Sequence, residues 1–206
     1  MTATYLVTDI EATGFRPGRH SMLSFATVAV SESGAELGRF EAVLAELPDA
    51  TWDAGTRAWF ERNEPEALAA ATADPRDPGS VMADFVAFVL ALPGPRIFTA
   101  HPLAFDGSWI DHYLRRYTEH QLLDGLYAAD PLFHDSLCLR SYAAAVTGRF
   151  VGEVSASTLP SEWLGDVPHT HRAIDDAVGY AHLLVELLRR TGADSGPGGR
   201  VSEAAL

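Results

Sequence analysis

The sequence predicts an α/β protein built on a mixed sheet, and three observations lead there. Residues 4–10, Thr-Tyr-Leu-Val-Thr-Asp-Ile, form a mostly apolar, β-prone run suited to a sheet interior. Two more β-prone runs follow, and short strands then alternate with helical patterns. A long amphipathic helix comes last, with Ile174, Ala177, Val178, Ala181, Val185 and Leu188 as its apolar stripe.

Taken in order, Met22 to Val30 is the second strand. Ser33-Gly34 supplies a turn, and Glu36 to Leu44 alternates as the third strand of a meander. A polar stretch with Pro48 and Asp53 precedes an aromatic-bearing helical segment over Thr56 to Asn63, and the Ala-rich Glu66 to Thr72 is also helical. The loop from Asp74 to Gly79 leads to Ser80, which is expected to cap a helix carrying Val81, Phe85, Phe88, Val89 and Leu92 at helical spacing. Pro93-Gly94-Pro95 ends that helix. Ile97 to Ala100 reads as a short buried strand and Phe105 to Tyr117 as an amphipathic helix. Leu132 to Asp135 reads as a second short strand, leading into a helix over Leu137 to Thr147. The last helix is expected from about Arg172 to Arg190. One domain over 1–191 and a disordered Gly/Ser/Pro-rich tail over 192–206 complete the expectation.

Hydrophobic content of 47% with 21% charged residues belongs to a folded globular chain. Cys138 is the single cysteine, so no internal disulfide can form; a reducing, cytoplasmic setting and a small buried thiol are expected. The first dozen residues already carry Asp9 and Glu11 and lack the basic start of a signal peptide. The longest apolar run, Phe85 to Leu92, is far short of the ~18 residues that span a bilayer. No membrane association is expected. The net charge of −13 excludes a non-specific nucleic-acid binder that relies on its global field. Any such attraction must be local, through metal ions or a small basic patch.

Three segments carry candidate chemistry. In a strand, residues two apart share a face, so Asp9 and Glu11 point together, and like charges buried side by side call for a cation. Thr13-Gly14 follows as a turn whose backbone can approach a ligand closely. Asp106 follows the strand Ile97 to Ala100 and falls in a helix's first turn, where the dipole favours a carboxylate. In His169-Thr-His171-Arg-Ala-Ile-Asp175-Asp176, five residues separate His171 from Asp176. That spacing places the acid on a helix and the imidazole on the loop before it, where a near-neutral pKa suits a general base. Taken singly, each also has a plain structural explanation.

Taken together, Asp9-x-Glu11-x-Thr13-Gly14, Phe105-Asp106 and His171-x4-Asp176 resemble the three motifs of the DEDDh (DnaQ-like) 3′→5′ exonucleases. The resemblance covers roughly residues 4–190. Thr56-Arg-Ala-Trp59-Phe60 and Pro168-His-Thr-His171 are similar to the branch near oligoribonuclease, RNase T and phage-type exonucleases. It implies a ribonuclease-H-like three-layer sandwich, with a mixed, roughly five-stranded central sheet flanked by helices. It also implies two divalent cations, Mg²⁺ or Mn²⁺, held by Asp9, Glu11, Asp106 and Asp176, with His171 as the base. The register selects His171 over His169 and Asp176 over Asp175. Two departures are Ala12, where relatives often carry Thr, and His101, where an Asn often stands.

The implied reaction removes nucleoside 5′-monophosphates from the 3′ end of single-stranded RNA or DNA, with RNA or short oligonucleotides slightly favoured. A DNA-proofreading enzyme and a catalytically silent binding module are the alternatives. Homodimers are frequent among such relatives. Thr13, Gly14, Phe15, Trp59 and Phe105 are the candidate substrate contacts, the aromatics by base stacking, and Phe60 is a further aromatic candidate. Arg16 and Arg19 follow in the same loop, and Asp135 is a candidate neighbour of the site.

Overall fold

The computed structural model describes residues 2–194. Its centre is β1 (Thr4–Ala12), buried at every position but Tyr5. β2 (Met22–Ser31) and β3 (Glu36–Val43) run antiparallel beside it as the expected meander. On the other side β4 (Arg96–Ala100) pairs parallel to β1, and β5 (Asp135–Cys138) pairs parallel to β4. The five-stranded order is β3-β2-β1-β4-β5. The chain leaves β1 towards one edge and β4 towards the other. Such a switch opens a crevice beyond the strands' carboxyl ends.

The alternation of β1 divides the molecule into two cores. Leu6, Ile10 and Ala12 face a cluster with Phe25, Phe85, Phe98 and Trp109, contributed partly by α3 (Pro78–Leu90) and α4 (Leu103–Tyr117). Val7 faces the opposite cluster, which includes α5 (Leu139–Thr147) and α6 (Ala173–Asp194). Asp9 and Glu11 lie on this second face by the same period of two. Each large side chain so buried contributes roughly 1.5–3 kcal/mol relative to exposure. The β1–β2 register shifts between Glu11 and Ala12, leaving Leu23 as the extra residue. That bulge turns Met22 towards the first core and twists the strand ends at the crevice.

Several boundaries differ from the sequence expectation. Asp77, not Ser80, caps α3: its carboxylate accepts from the Ser80 N–H at 2.8 Å, and Pro78 occupies the first turn. The strand expected over 132–135 pairs only from Asp135 onwards. Leu132 and Phe133 are instead core residues, because the Arg96 guanidinium donates to the carbonyls of Pro131 and Leu132 and holds that backbone off the ladder. Cys138 is half-buried.

The helix α6 continues to Asp194, and the rest of the expected tail lies outside the described residues. Among the described residues no helix is long and apolar enough to cross a membrane. Before the crevice, α1 (Ala54–Asn63) is capped by Asp53 through the Thr56 N–H, and α2 (Pro65–Ala71) follows directly.

Candidate active site

Asp9 and Glu11 from β1 meet Asp176 from the first turn of α6, with ligand oxygens within 4.8 Å of one another. Asp106, in the first turn of α4, comes over the same strand ends; its charge acts on both β1 carboxylates. All four residues are buried, at 2–9% exposure. Burial pushes Asp9 well above the usual carboxylate range, and Asp106, Glu11 and Asp176 push it further. Glu11 is raised likewise, by burial first and then by Asp176, Asp106 and Glu64. Burial lifts Asp106 to about 8, against the pull of the Ile10 and Asp106 backbone N–H groups. The Oδ2 of Asp106 has no hydrogen-bond partner. A dense set of buried oxygen donors, one of them orphaned, fits hard divalent cations such as Mg²⁺ or Mn²⁺.

His171 sits on the loop entering α6, with a left-handed φ of 53° that keeps it outside the helix. Its ring meets the edge of Trp59 at 4.8 Å and lies 4.4 Å from that of His169. Burial and the neighbouring His169 lower its pKa, while Asp176 and Glu64 oppose the shift. It is therefore neutral near pH 7 and able to accept a proton. A cavity of about 510 Å³ opens beside it, lined by Glu11, Gly14, Phe15, Trp59, Phe60 and Phe105 among others.

Of the remaining candidates, Thr13 lies off this cavity. It is fully buried, and its hydroxyl accepts from the Ser21 N–H at 2.8 Å. Gly14 is dictated by packing, since a Cβ there would sit 2.0 Å from His20 Nδ1. Asp135 begins β5 opposite Ile97, at the far end of the sheet from the four carboxylates.

Three residues that were not chosen from the sequence join the site, one of them the His169 passed over in favour of His171. His169 Nδ1 lies 2.8 Å from Asp176 Oδ1, and that hydrogen bond raises its pKa. Tyr180 stands one helical turn beyond Asp176 and stacks on His101 at 4.7 Å; the i, i+4 spacing was its only signal. Glu64, between α1 and α2, has no motif around it, yet its charge is felt by Glu11 and both histidines.

No family model matches this sequence, and no curated protein matches it. Solved structures do. A zinc-bound complex of E. coli exonuclease I with single-stranded DNA is similar over 95% of this chain and 42% of its own, at 17% identity and a TM-score of 0.61. E. coli exonuclease I with a dA16 oligonucleotide matches over 92% of this chain and 41% of its own, at 17% identity and a TM-score of 0.62. The nuclease domain of 3'hExo, a DEDDh family member bound to rAMP, is similar over 91% of this chain and 92% of its own, at 9% identity and a TM-score of 0.60. The chain thus spans about two fifths of exonuclease I but nearly all of the smaller nuclease domain. It has the α/β fold of the DEDDh exonucleases, and that fold accounts for almost its whole length.

Proposed function

We propose that the protein is a 3′→5′ exonuclease on single-stranded nucleic acid. The observation that carries this reading is the convergence of Asp9, Glu11, Asp106 and Asp176, buried together beside a neutral His171 and an aromatic-lined cavity. These four side chains would hold two divalent cations, Mg²⁺ or Mn²⁺, which when bound supply charge neutralisation and Lewis-acid stabilisation of phosphoryl oxygens. The 3′-terminal nucleotide enters the cavity against Phe15, Trp59 and Phe105, where stacking tolerates any base. His171 takes the proton of the attacking water, a role its lowered pKa suits. His169 and the Thr170 N–H hold the Asp176 carboxylate in place. The product is a nucleoside 5′-monophosphate.

RNA or short oligonucleotides are slightly favoured as substrate, by the motif resemblance to oligoribonuclease and RNase T. DNA proofreading is the second reading, supported by structural neighbours solved with DNA strands. A silent binding module would normally lack a carboxylate, and all four are present. The test is digestion of matched 5′-labelled RNA and DNA single strands of several lengths with Mg²⁺ or Mn²⁺. A ladder of shortened products, lost in Asp9→Ala, is expected. No ladder, or one indifferent to that substitution, would overturn the reading.

A further inference from the structure

All 15 basic side chains of this acidic sequence are arginine. Most of those in the described residues hold carboxylates or backbone carbonyls. Among the described residues only Arg16, Arg19, Arg62 and Arg116 make neither an ion pair nor a side-chain hydrogen bond, and Arg116 lies over the Tyr117 ring. Two of these four guanidiniums therefore project from one loop, next to the candidate active site.

That loop is fixed in shape. The N–H groups of Arg19 and His20 both donate to the Arg16 carbonyl, at 3.2 and 2.9 Å. Gly18 takes a φ of +84° that other residues adopt with strain. The Thr51 N–H donates to the Arg19 carbonyl at 2.9 Å, and the Asp53 N–H to the Thr13 carbonyl at 2.8 Å. Between the loop and residues 51–54 lies a second cavity, of about 340 Å³, lined by Phe15, Arg16, Arg19, His20 and Trp52 among others. It shares Phe15 and Asp53 with the nucleotide cavity, so the two adjoin. Phe15 stands between them, 70% exposed. The Asp53 carboxylate is engaged as the α1 cap, accepting from the Thr56 N–H and hydroxyl. Trp52 is half-buried, its indole N–H given to Glu46 and its face to Arg57. Beyond burial, Arg19 and then Arg16 hold the His20 pKa down, while Asp53 opposes them.

We infer that this cleft grips the single strand upstream of its terminal nucleotide, with Arg16 and Arg19 on successive phosphodiesters and Phe15 and Trp52 against a base. The inference rests on the proposed exonuclease reading and adds a second subsite. Two preplaced, unpaired guanidiniums beside the exposed Phe15 and the half-buried Trp52 match the polyanion-and-base pattern of single strands. They also answer how a chain of net charge −13 draws in a polyanion: locally, at the site's mouth.

The test is fluorescence anisotropy with labelled octanucleotides and dinucleotides across a salt series. Ca²⁺ and 3′-terminal phosphorothioate linkages hold off cleavage. Arg16→Ala/Arg19→Ala is expected to weaken octanucleotide binding about tenfold at low salt and to reduce the slope of log K against log salt by ~1.4, two phosphate contacts at ~0.7 each on a single strand. Dinucleotide affinity should change far less. Arg16→Lys/Arg19→Lys should keep most of the slope, because the charge remains. An unchanged slope, an equal loss for both lengths, or a wild type that binds no strand would overturn the inference. A wild type that binds octanucleotide but cleaves nothing with Mg²⁺ would instead overturn the exonuclease reading, and the cleft would still be readable.

Discussion

Replacing Asp106 by Asn should stabilise the protein without divalent ions and do the reverse with them. Asn keeps the shape and an acceptor for the Ile10 N–H but removes a charge that burial opposes. The Asp106 carboxyl moves from an ordinary 3.8 to about 8 in the folded chain. A carboxyl raised on folding leaves stability intact below its unfolded pKa. Stability is then lost as pH rises towards the folded value, at up to ~1.4 kcal/mol per pH unit. At pH 7 the full linkage would reach roughly 4 kcal/mol. Asp9 and Glu11 share the relief, so a gain of about 2 kcal/mol for the variant is expected, or ~4–8 °C in Tm for a chain of this size. With millimolar Mg²⁺ or Mn²⁺ the wild type gains about 2.7 kcal/mol at a hundredfold excess over Kd, and the variant loses most of that. The assay is urea or thermal unfolding of both proteins in EDTA and in metal, at pH 5 and pH 7. An Asp106→Asn protein less stable than wild type in EDTA would refute the reasoning, as would a wild type indifferent to metal.

Three further expectations follow from other contacts. His171→Ala should lower single-turnover cleavage by ~10²–10⁴-fold while octanucleotide binding stays close to wild type; a matching loss of binding would reassign the residue to substrate holding. Gly14→Ala drives a Cβ against the His20 ring and should cost about 1–3 kcal/mol in urea unfolding, so an unchanged midpoint would show that the loop yields freely. Hydrogen bonds from Arg189, with those from Arg190, hold the Glu186 carboxyl down at about 2 against an ordinary 4.5. Its stabilisation is therefore present above pH 4.5 and lost as pH falls towards 2. Because the arginines are largely solvent-exposed, Glu186→Gln should cost no more than ~1 kcal/mol at pH 7 and nothing near pH 2, and a gap that persists in acid would refute the assignment.

The parts of the site legible in the sequence are those tied to a local period. Asp9 and Glu11 share a face because a strand repeats every two residues. Asp106 and Asp176 each fall in a helix's first turn, as expected from the strand before one and the apolar stripe after the other. The topology follows from the same signals, since three consecutive β-prone runs make a meander and strands separated by helices pair in parallel. What escaped depends on contacts across the fold. Glu64 reaches the site only because the α1–α2 junction folds back to it, and nothing within the junction signals this. Thr13 reads as a ligand-facing turn residue, but its hydroxyl is taken by Ser21, eight positions on. The cap of α3 went to Asp77 because Pro78 is well suited to the first helical turn, which moves the start ahead of Ser80.

The two histidines of the last motif show how position sets chemistry within three residues. Both are half exposed, on one loop, with ring centres 4.4 Å apart. His169 donates to or shares a proton with Asp176, and the bond raises its pKa; His171 has no such bond, and burial beside His169 lowers its pKa. Two like groups close together in sequence are thereby held at different proton affinities, the separation that the proposed roles of holding and proton transfer require. The loop reaches this arrangement because it is pinned on both sides. The Thr170 hydroxyl donates to Asp175, and the His171 backbone turns through the left-handed region that directs its ring to Trp59. Further back, Arg149 holds the carbonyls of Glu153 and Thr158, and Arg190 of α6 covers Trp163 at 3.9 Å. His171 itself is positioned by the Thr170–Asp175 bond beside it, by its own left-handed backbone and by the Trp59 ring. The motif supplies the two histidines, and these local contacts give them different environments.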